Sequence, residues 1–299
     1  MTISAAPIHT FSRGGSPVVS TQWLCDHLGA DSLVVLDASV LQVAGVDGSP
    51  FWLSGLDEYL ISGHIPGAVF ADLLEVFSDP DGEFGFARPS LAQFEAAAAS
   101  VGVDNTSTVV VYDSAGGQWA ARIWWLFRAF GYDNVSVLDG GLTKWNLEDR
   151  PTVTGYVEPR PTEFIAAERP ELWVDKPFVE SVVTGQADAL LLCALSPREF
   201  AGERGNRARL GHIPGSMSVP SSRLVNRETN ALLHPAALRE IVAPALSARN
   251  PGQPIVIYCA GGIAAAADAL ALAVLGETRI AIYDGSLNEW VADPEAALA

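Results

Sequence analysis

Positive charge is scarce in this chain. Its 299 residues hold 18 Lys and Arg against 35 Asp and Glu, a formal net charge of −17. Nothing offsets repulsion from phosphates, which argues against a nucleic-acid partner. An anionic substrate must find a local positive potential against an unfavourable overall field. Cysteine is scarcer still. Cys25, Cys193 and Cys259 form an odd set without CxxC spacing, which supports neither a disulfide framework nor a zinc site. No uninterrupted apolar run of about 18 residues exists, so no membrane span is expected. Residues 1–20 carry no apolar stretch behind basic residues, so no secretory signal is expected and the location reads as cytoplasmic. What is abundant is apolar: 49% of residues, with only 18% charged. That balance belongs to a well-buried globular chain, and the length suits two domains of roughly 150 residues.

The chain repeats itself. Gly63-His64-Ile65-Pro66-Gly67-Ala68 returns as Gly211-His212-Ile213-Pro214-Gly215-Ser216. Val109-Val110-Val111-Tyr112-Asp113 returns as Ile255-Val256-Ile257-Tyr258-Cys259. Asp139-Gly140-Gly141-Leu142-Thr143-Lys144-Trp145 returns as Asp284-Gly285-Ser286-Leu287-Asn288-Glu289-Trp290. The order is kept and the offsets, 148, 146 and 145 residues, are nearly constant. A period this long is a duplicated domain rather than a solenoid.

Each copy alternates strands with helices. Strands are expected at 33–36, 108–112 and 135–138, and again at 189–192, 255–258 and 279–283; helices at 91–100, 119–130, 236–246 and 263–275. Pro244 is expected to end its helix early. Near-continuous apolar strands between helices indicate a mainly parallel sheet covered on both faces, an α/β class in both copies. The Pro-rich stretch 150–177 contains the linker, dividing the chain into 1–155 and 156–299. The aromatic residues Trp119, Trp124, Trp125, Phe127 and Phe130 have helical spacing and read as core or domain-interface packing.

The chemistry is expected where a strand ends. In open α/β sheets ligands sit at the carboxyl ends of strands, and a helix beginning there offers unpaired N–H groups and partial positive charge. In the first copy Asp113 holds this position; in the second, Cys259 does. Backbone donors favour the thiolate there, while Gly261, Gly262 and small Ala260, Ala264 and Ala265 allow a tight loop whose amides point inward. His64 and His212 recur in both copies, one of which lacks the cysteine, so they read as structural. Asp139 and Asp284 read the same way, and Cys193 as packed.

The paired His-Ile-Pro-Gly segments, the Asp-Gly-Gly-Leu and Asp-Gly-Ser-Leu closings with their Trp145 and Trp290, and the Cys259 loop resemble the tandem-domain rhodanese family. That family comprises the thiosulfate and 3-mercaptopyruvate sulfurtransferases. The resemblance implies two tandem rhodanese-like domains, non-catalytic in the first half and catalytic in the second. It implies a persulfide on Cys259, held by the amides of Ala260, Gly261, Gly262, Ile263, Ala264 and Ala265, with no metal or organic cofactor. The donor would be small, thiosulfate favoured over 3-mercaptopyruvate, and the acceptor cyanide or a thiol, including a thioredoxin-like reductant. Three departures from the family pattern stand out: Ala260-Gly261 matches neither donor type, Ala264 replaces a hydroxyl, and Glu199 replaces an arginine that contacts anionic donors. Arg198 is the expected substitute, with Arg204, Arg207 and Arg209 in the same basic stretch. A phosphatase or arsenate reductase of the same fold needs Cys-x5-Arg, and Ala265 stands where that arginine belongs. A non-enzymatic persulfide carrier is the other alternative.

Overall fold

A computed structural model describes residues 16–44 and 50–299. The first copy starts with β1 (Val18–Val19), α1 (Thr21–His27), β2 (Leu33–Asp37) and a hairpin, β3 (Val40–Ala44) with β4 (Pro50–Ser54). It continues through α2 (Leu56–Ile61), β5 (Val69–Phe70), α3 (Leu91–Ser100), β6 (Thr108–Tyr112), α4 (Gln118–Ala129), β7 (Val135–Leu138) and α5 (Gly141–Leu147). The second copy opens with β8 (Trp173–Val174), α6 (Lys176–Val183), β9 (Leu190–Cys193), α7 (Pro197–Phe200) and β10 (Met217–Ser218). After it come α8 (Pro235–Ser247), β11 (Ile255–Tyr258), α9 (Ile263–Val274), β12 (Ile280–Tyr283) and α10 (Ser286–Ala292).

The sheets share one topology. The first runs β1-β7-β6-β2-β5 and the second β8-β12-β11-β9-β10, every pair parallel. The central strands, β6 and β11, are those that deliver Asp113 and Cys259. Strand alternation explains the two covered faces. Val34, Leu36, Val109 and Val111 face α3 and α4, whereas Val35 and Val110 pack with Leu24 of α1 and Trp145 of α5. The expected main strands lie within a residue or two of their predicted bounds. The two-residue edge strands and the hairpin carried no comparable signal, because so short a run has no readable period.

Helix α4 is buried around its whole circumference, from Trp119 to Ala129. A helix apolar on all sides has no solvent face to present. One face rests on the first sheet and another packs against α9, the corresponding helix of the second copy. Trp125 meets Trp173 edge-on, carrying one apolar core across the interface. The aromatic stripe is therefore core and interface at once.

One sequence expectation changes. Pro244 sits inside α8, which runs on to Ser247. The proline lies on the exposed side near the helix end, where the carbonyl it leaves unpaired reaches solvent, while Leu238, Val242 and Ala245 bury the inner face. Residues 160–169, just past the expected boundary, bond the first copy. Ala167 and Arg169 donate backbone N–H groups to Phe130 and Ala129, and Arg160 and Arg169 bond Asp104 and Asp133 of the first copy. Among the described residues no helix is long and apolar enough to cross a membrane.

Candidate active site

The repeated His-Ile-Pro-Gly turns brace the central strands. The Tyr112 hydroxyl accepts the Ile65 N–H, and the Tyr258 hydroxyl accepts that of Ile213. His64 Nδ1 bonds the Tyr59 carbonyl and stacks on that ring at 3.8 Å; His212 does the same with Phe200 at 3.6 Å. Both histidines are bracing residues in both copies. Cys193 is fully buried at the end of β9, and burial pushes its thiol up to about 12.

The loop of the first copy closes on its own side chain. Asp113 Oδ1 accepts the N–H groups of Ala115 and Gly117 at 2.9 and 3.0 Å, and Oδ2 those of Trp119 and Ala120 at 3.0 Å each. Burial raises this carboxyl above its ordinary value, and the four backbone bonds oppose that. Both oxygens take two N–H donors each, the environment of a carboxylate.

The second loop is one residue shorter and closes differently. Gly117 and Gly262 are equivalent helix N-caps, both left-handed, with φ of 83° and 79°. Here Gly262 N–H goes to Ser286 Oγ at 3.2 Å, as does the N–H of Cys259 at 3.1 Å, and Ser286 Oγ donates to the Tyr283 carbonyl at 2.8 Å. Leu287 and Asn288 N–H groups bond the carbonyls of Cys259 and Ala260. Ser286 is fully buried and holds φ at 49°, a left-handed conformation costing a non-glycine residue roughly 1–2 kcal/mol. The Cys259 side chain shares a loop with the amides of Gly261, Ile263, Ala264 and Ala265, and Cys259 itself is 2% exposed.

The first domain completes this site. A Cβ on Gly262 would stand 2.9 Å from Arg122 Nη1 and 3.0 Å from Asp284 Oδ1, so only glycine fits. Arg122, on α4, pairs with Asp284 at 2.6 Å, donates to the Phe86 carbonyl at 2.8 Å and lies over the Trp173 ring. It is 1% exposed, and its Nη1 and Nε lack a hydrogen-bond partner. The strap around Gly85–Arg88 lies over the loop: the Gly85 carbonyl is 3.4 Å from a Cβ position on Gly261, and Arg88 N–H bonds Asp284 Oδ2. Arg122 and Ser286 carried only faint signals in the sequence. One is an arginine, the first of two, in an otherwise largely apolar helix; the other is a serine where the repeat has Gly141.

The predicted basic contacts lie elsewhere. Arg198 is 69% exposed and pairs loosely with Glu203 at 3.7 Å. Glu199 closes a capping box at the start of α7, accepting the Ser196 hydroxyl at 2.6 Å, with Arg207 at 3.9 Å. Arg209 bonds the Asp293 and Ala296 carbonyls. Among the described residues no hydrogen bond or ion pair joins Arg198 or Glu199 to residues 259–265.

The rhodanese-like domain family matches residues 20–148 and 187–293, one stretch in each copy. The chain belongs to the rhodanese family. Its relatives span nearly its whole length. A thiosulfate/3-mercaptopyruvate sulfurtransferase of Arabidopsis thaliana is 33% identical over 313 residues, covering 97% of this chain and 87% of that relative. The 3-mercaptopyruvate sulfurtransferase of Escherichia coli strain K12 is 31% identical, covering 92% and 94%. The thiosulfate sulfurtransferase of Cricetulus griseus is 32% identical, covering 94% and 95%. The crystal structure of SseA from Escherichia coli superposes with a TM-score of 0.79 at 32% identity, over 91% of this chain and 99% of that one. This rhodanese-family chain is a sulfurtransferase enzyme; the relatives divide between two donors.

Proposed function

We propose that the enzyme moves sulfane sulfur from a small anionic donor to a thiophilic acceptor through a persulfide on Cys259, with thiosulfate the favoured donor. The Cys259 thiolate attacks the outer sulfur of thiosulfate; the S–S bond of the donor breaks and sulfite leaves with the bonding electrons. Cyanide or a thiol, such as that of a thioredoxin-like reductant, then attacks the terminal sulfur and regenerates the thiolate. Two covalent half-reactions predict ping-pong kinetics.

The observation that carries this reading is the paired loop. Around Asp113 the same strand–loop–helix turn holds a buried anionic group on four N–H donors. With a thiol in place of the carboxylate, the amides of Gly261, Ile263, Ala264 and Ala265 are left to receive charge on an added sulfur, as an oxyanion hole does for oxygen. Among the described residues Arg122 is the buried cation that lies against this loop, which supports an anionic donor in an otherwise acidic protein. It serves the sulfonate of thiosulfate and the carboxylate of 3-mercaptopyruvate alike. The deciding experiment is comparative kinetics with the two donors, against cyanide and a dithiol, with mass spectrometry of the donor-treated protein. A one-sulfur adduct on Cys259 and faster turnover with thiosulfate are expected. Faster turnover with 3-mercaptopyruvate reverses the donor assignment. A stable adduct without turnover makes the protein a carrier.

A further inference from the structure

We infer that Ser286 is the positioning residue that keeps the Cys259 loop formed while its interior stands ready for a sulfur atom. The inference rests on the persulfide reading above and adds a residue to it. An inward-facing ring of N–H groups needs an acceptor, or it relaxes. In the first copy that acceptor is internal, the Asp113 carboxylate, which takes the Gly117 N–H among its four bonds. A thiol is a weak acceptor and cannot hold its own loop this way. In the second copy the equivalent Gly262 N–H turns outward to Ser286 Oγ, together with the Cys259 N–H. The loop is thus tied at both ends from behind, and the N–H groups of Gly261, Ile263, Ala264 and Ala265 are not among those Ser286 takes.

Three features mark the serine as selected for this contact rather than tolerated. It keeps a left-handed backbone, φ 49°, where its counterpart Gly141 has φ 52° and no side chain to strain. In the first copy a Cβ on Gly141 would meet the Asp113 carbonyl at 2.3 Å, so the hydroxyl is confined to the cysteine-bearing domain. Room for it comes with a change one residue earlier: Gly140 has φ 82°, Gly285 −62°. The hydroxyl is also saturated. It accepts two N–H groups and its only proton goes to the Tyr283 carbonyl, so it has none to give the sulfur. Ser286 therefore acts through the loop.

The test compares Ser286→Ala and Ser286→Gly. Both remove the hydroxyl; glycine also relieves the left-handed strain, so it keeps the test valid if the alanine variant folds poorly. Expected for both is a fall in kcat of about 10- to 100-fold, because small misplacement of reacting groups is that costly. KM for the donor is expected to stay within about twofold, and the Cys259 persulfide, freed of excess donor, is expected to lose sulfur at least about fivefold faster. A kcat loss in the alanine variant alone, tracking its stability, would make the serine merely structural. Wild-type turnover and persulfide lifetime in both variants would also overturn the inference. If the wild type itself forms no persulfide, the functional reading has failed, and the rate of iodoacetamide alkylation at Cys259 still reads the loop: slowed or quickened at least threefold in both variants if Ser286 orders it, unchanged if not.

Discussion

The two domains place different groups at the end of the same central strand and close the loop beyond it by opposite means. After β6 the chain wraps around Asp113, whose carboxylate uses up the N–H groups that the turn and helix α4 present. After β11 a shorter loop is tied from outside by Ser286, and no carboxylate fills it. The closing turns differ in the same sense. Asp139 finds its cation within its own domain, Lys144 at 2.8 Å; Asp284, with Glu289 in the lysine's place, takes Arg122 from the other domain. The first-copy cradle is filled from within its own loop; the second-copy loop meets a cation of the other domain, so under the proposed function both halves of the duplication contribute to the site although only one carries the thiol.

The largest effect should separate the two end-of-strand residues. Cys259→Ser is expected to fold normally and lose sulfur transfer by at least about 10³-fold, measured as thiocyanate formation. Asp113→Ala should do the reverse: it strands four buried donors and lowers stability by about 3 kcal/mol in urea unfolding, while specific activity stays within about threefold. Equal activity losses in both variants would erase the distinction between a catalytic and a filled cradle.

Next in size is the cross-domain cation. Arg122→Ala leaves Asp284 buried beside the loop without its partner, so stability should fall by about 3–5 kcal/mol. The donor kcat/KM should fall about 10²-fold. Lys144→Ala, which breaks the corresponding pair of the first domain at a half-buried site, should cost about 1 kcal/mol or less and leave kinetics unchanged. A similar kinetic loss from both would mean that Arg122 acts only through the fold.

The smallest effect concerns α9. Asp268 stands where the duplicate has Ile123, fully buried, with neither carboxylate oxygen hydrogen-bonded. Burial raises its carboxyl well above the ordinary value. A raised native value favours the protonated fold, so its contribution is intact below about pH 4, the unfolded value, and is lost as pH rises toward the native one. Asp268→Asn should therefore gain stability relative to the wild type with rising pH, by up to about 1.4 kcal/mol per unit in that window. Thermal melts from pH 4 to 8 check this, and a pH-independent difference would show that the carboxyl is solvated or paired.

Much of this protein was legible before any coordinates. Duplication put Asp113 and Cys259 at one position in two copies, and strand alternation in Val109–Val111 and Ile255–Ile257 dictated sheets covered on both faces. The thiol and the loop amides proposed for the site could be named from the sequence, because both are properties of consecutive residues. For positive charge the sequence pointed to Arg198 and its neighbours; in the fold Arg198 faces solvent and Glu199 closes a helix cap. Arg122 lies 137 positions before Cys259, and its nearness follows from α4 packing on α9. Ser286 acts because a left-handed turn aims its hydroxyl back at the loop, a direction that a residue letter does not encode. Local chemistry is carried by neighbours in the chain. The electrostatics and support of the site are carried by neighbours in space, and those were decided only when the two domains closed on each other.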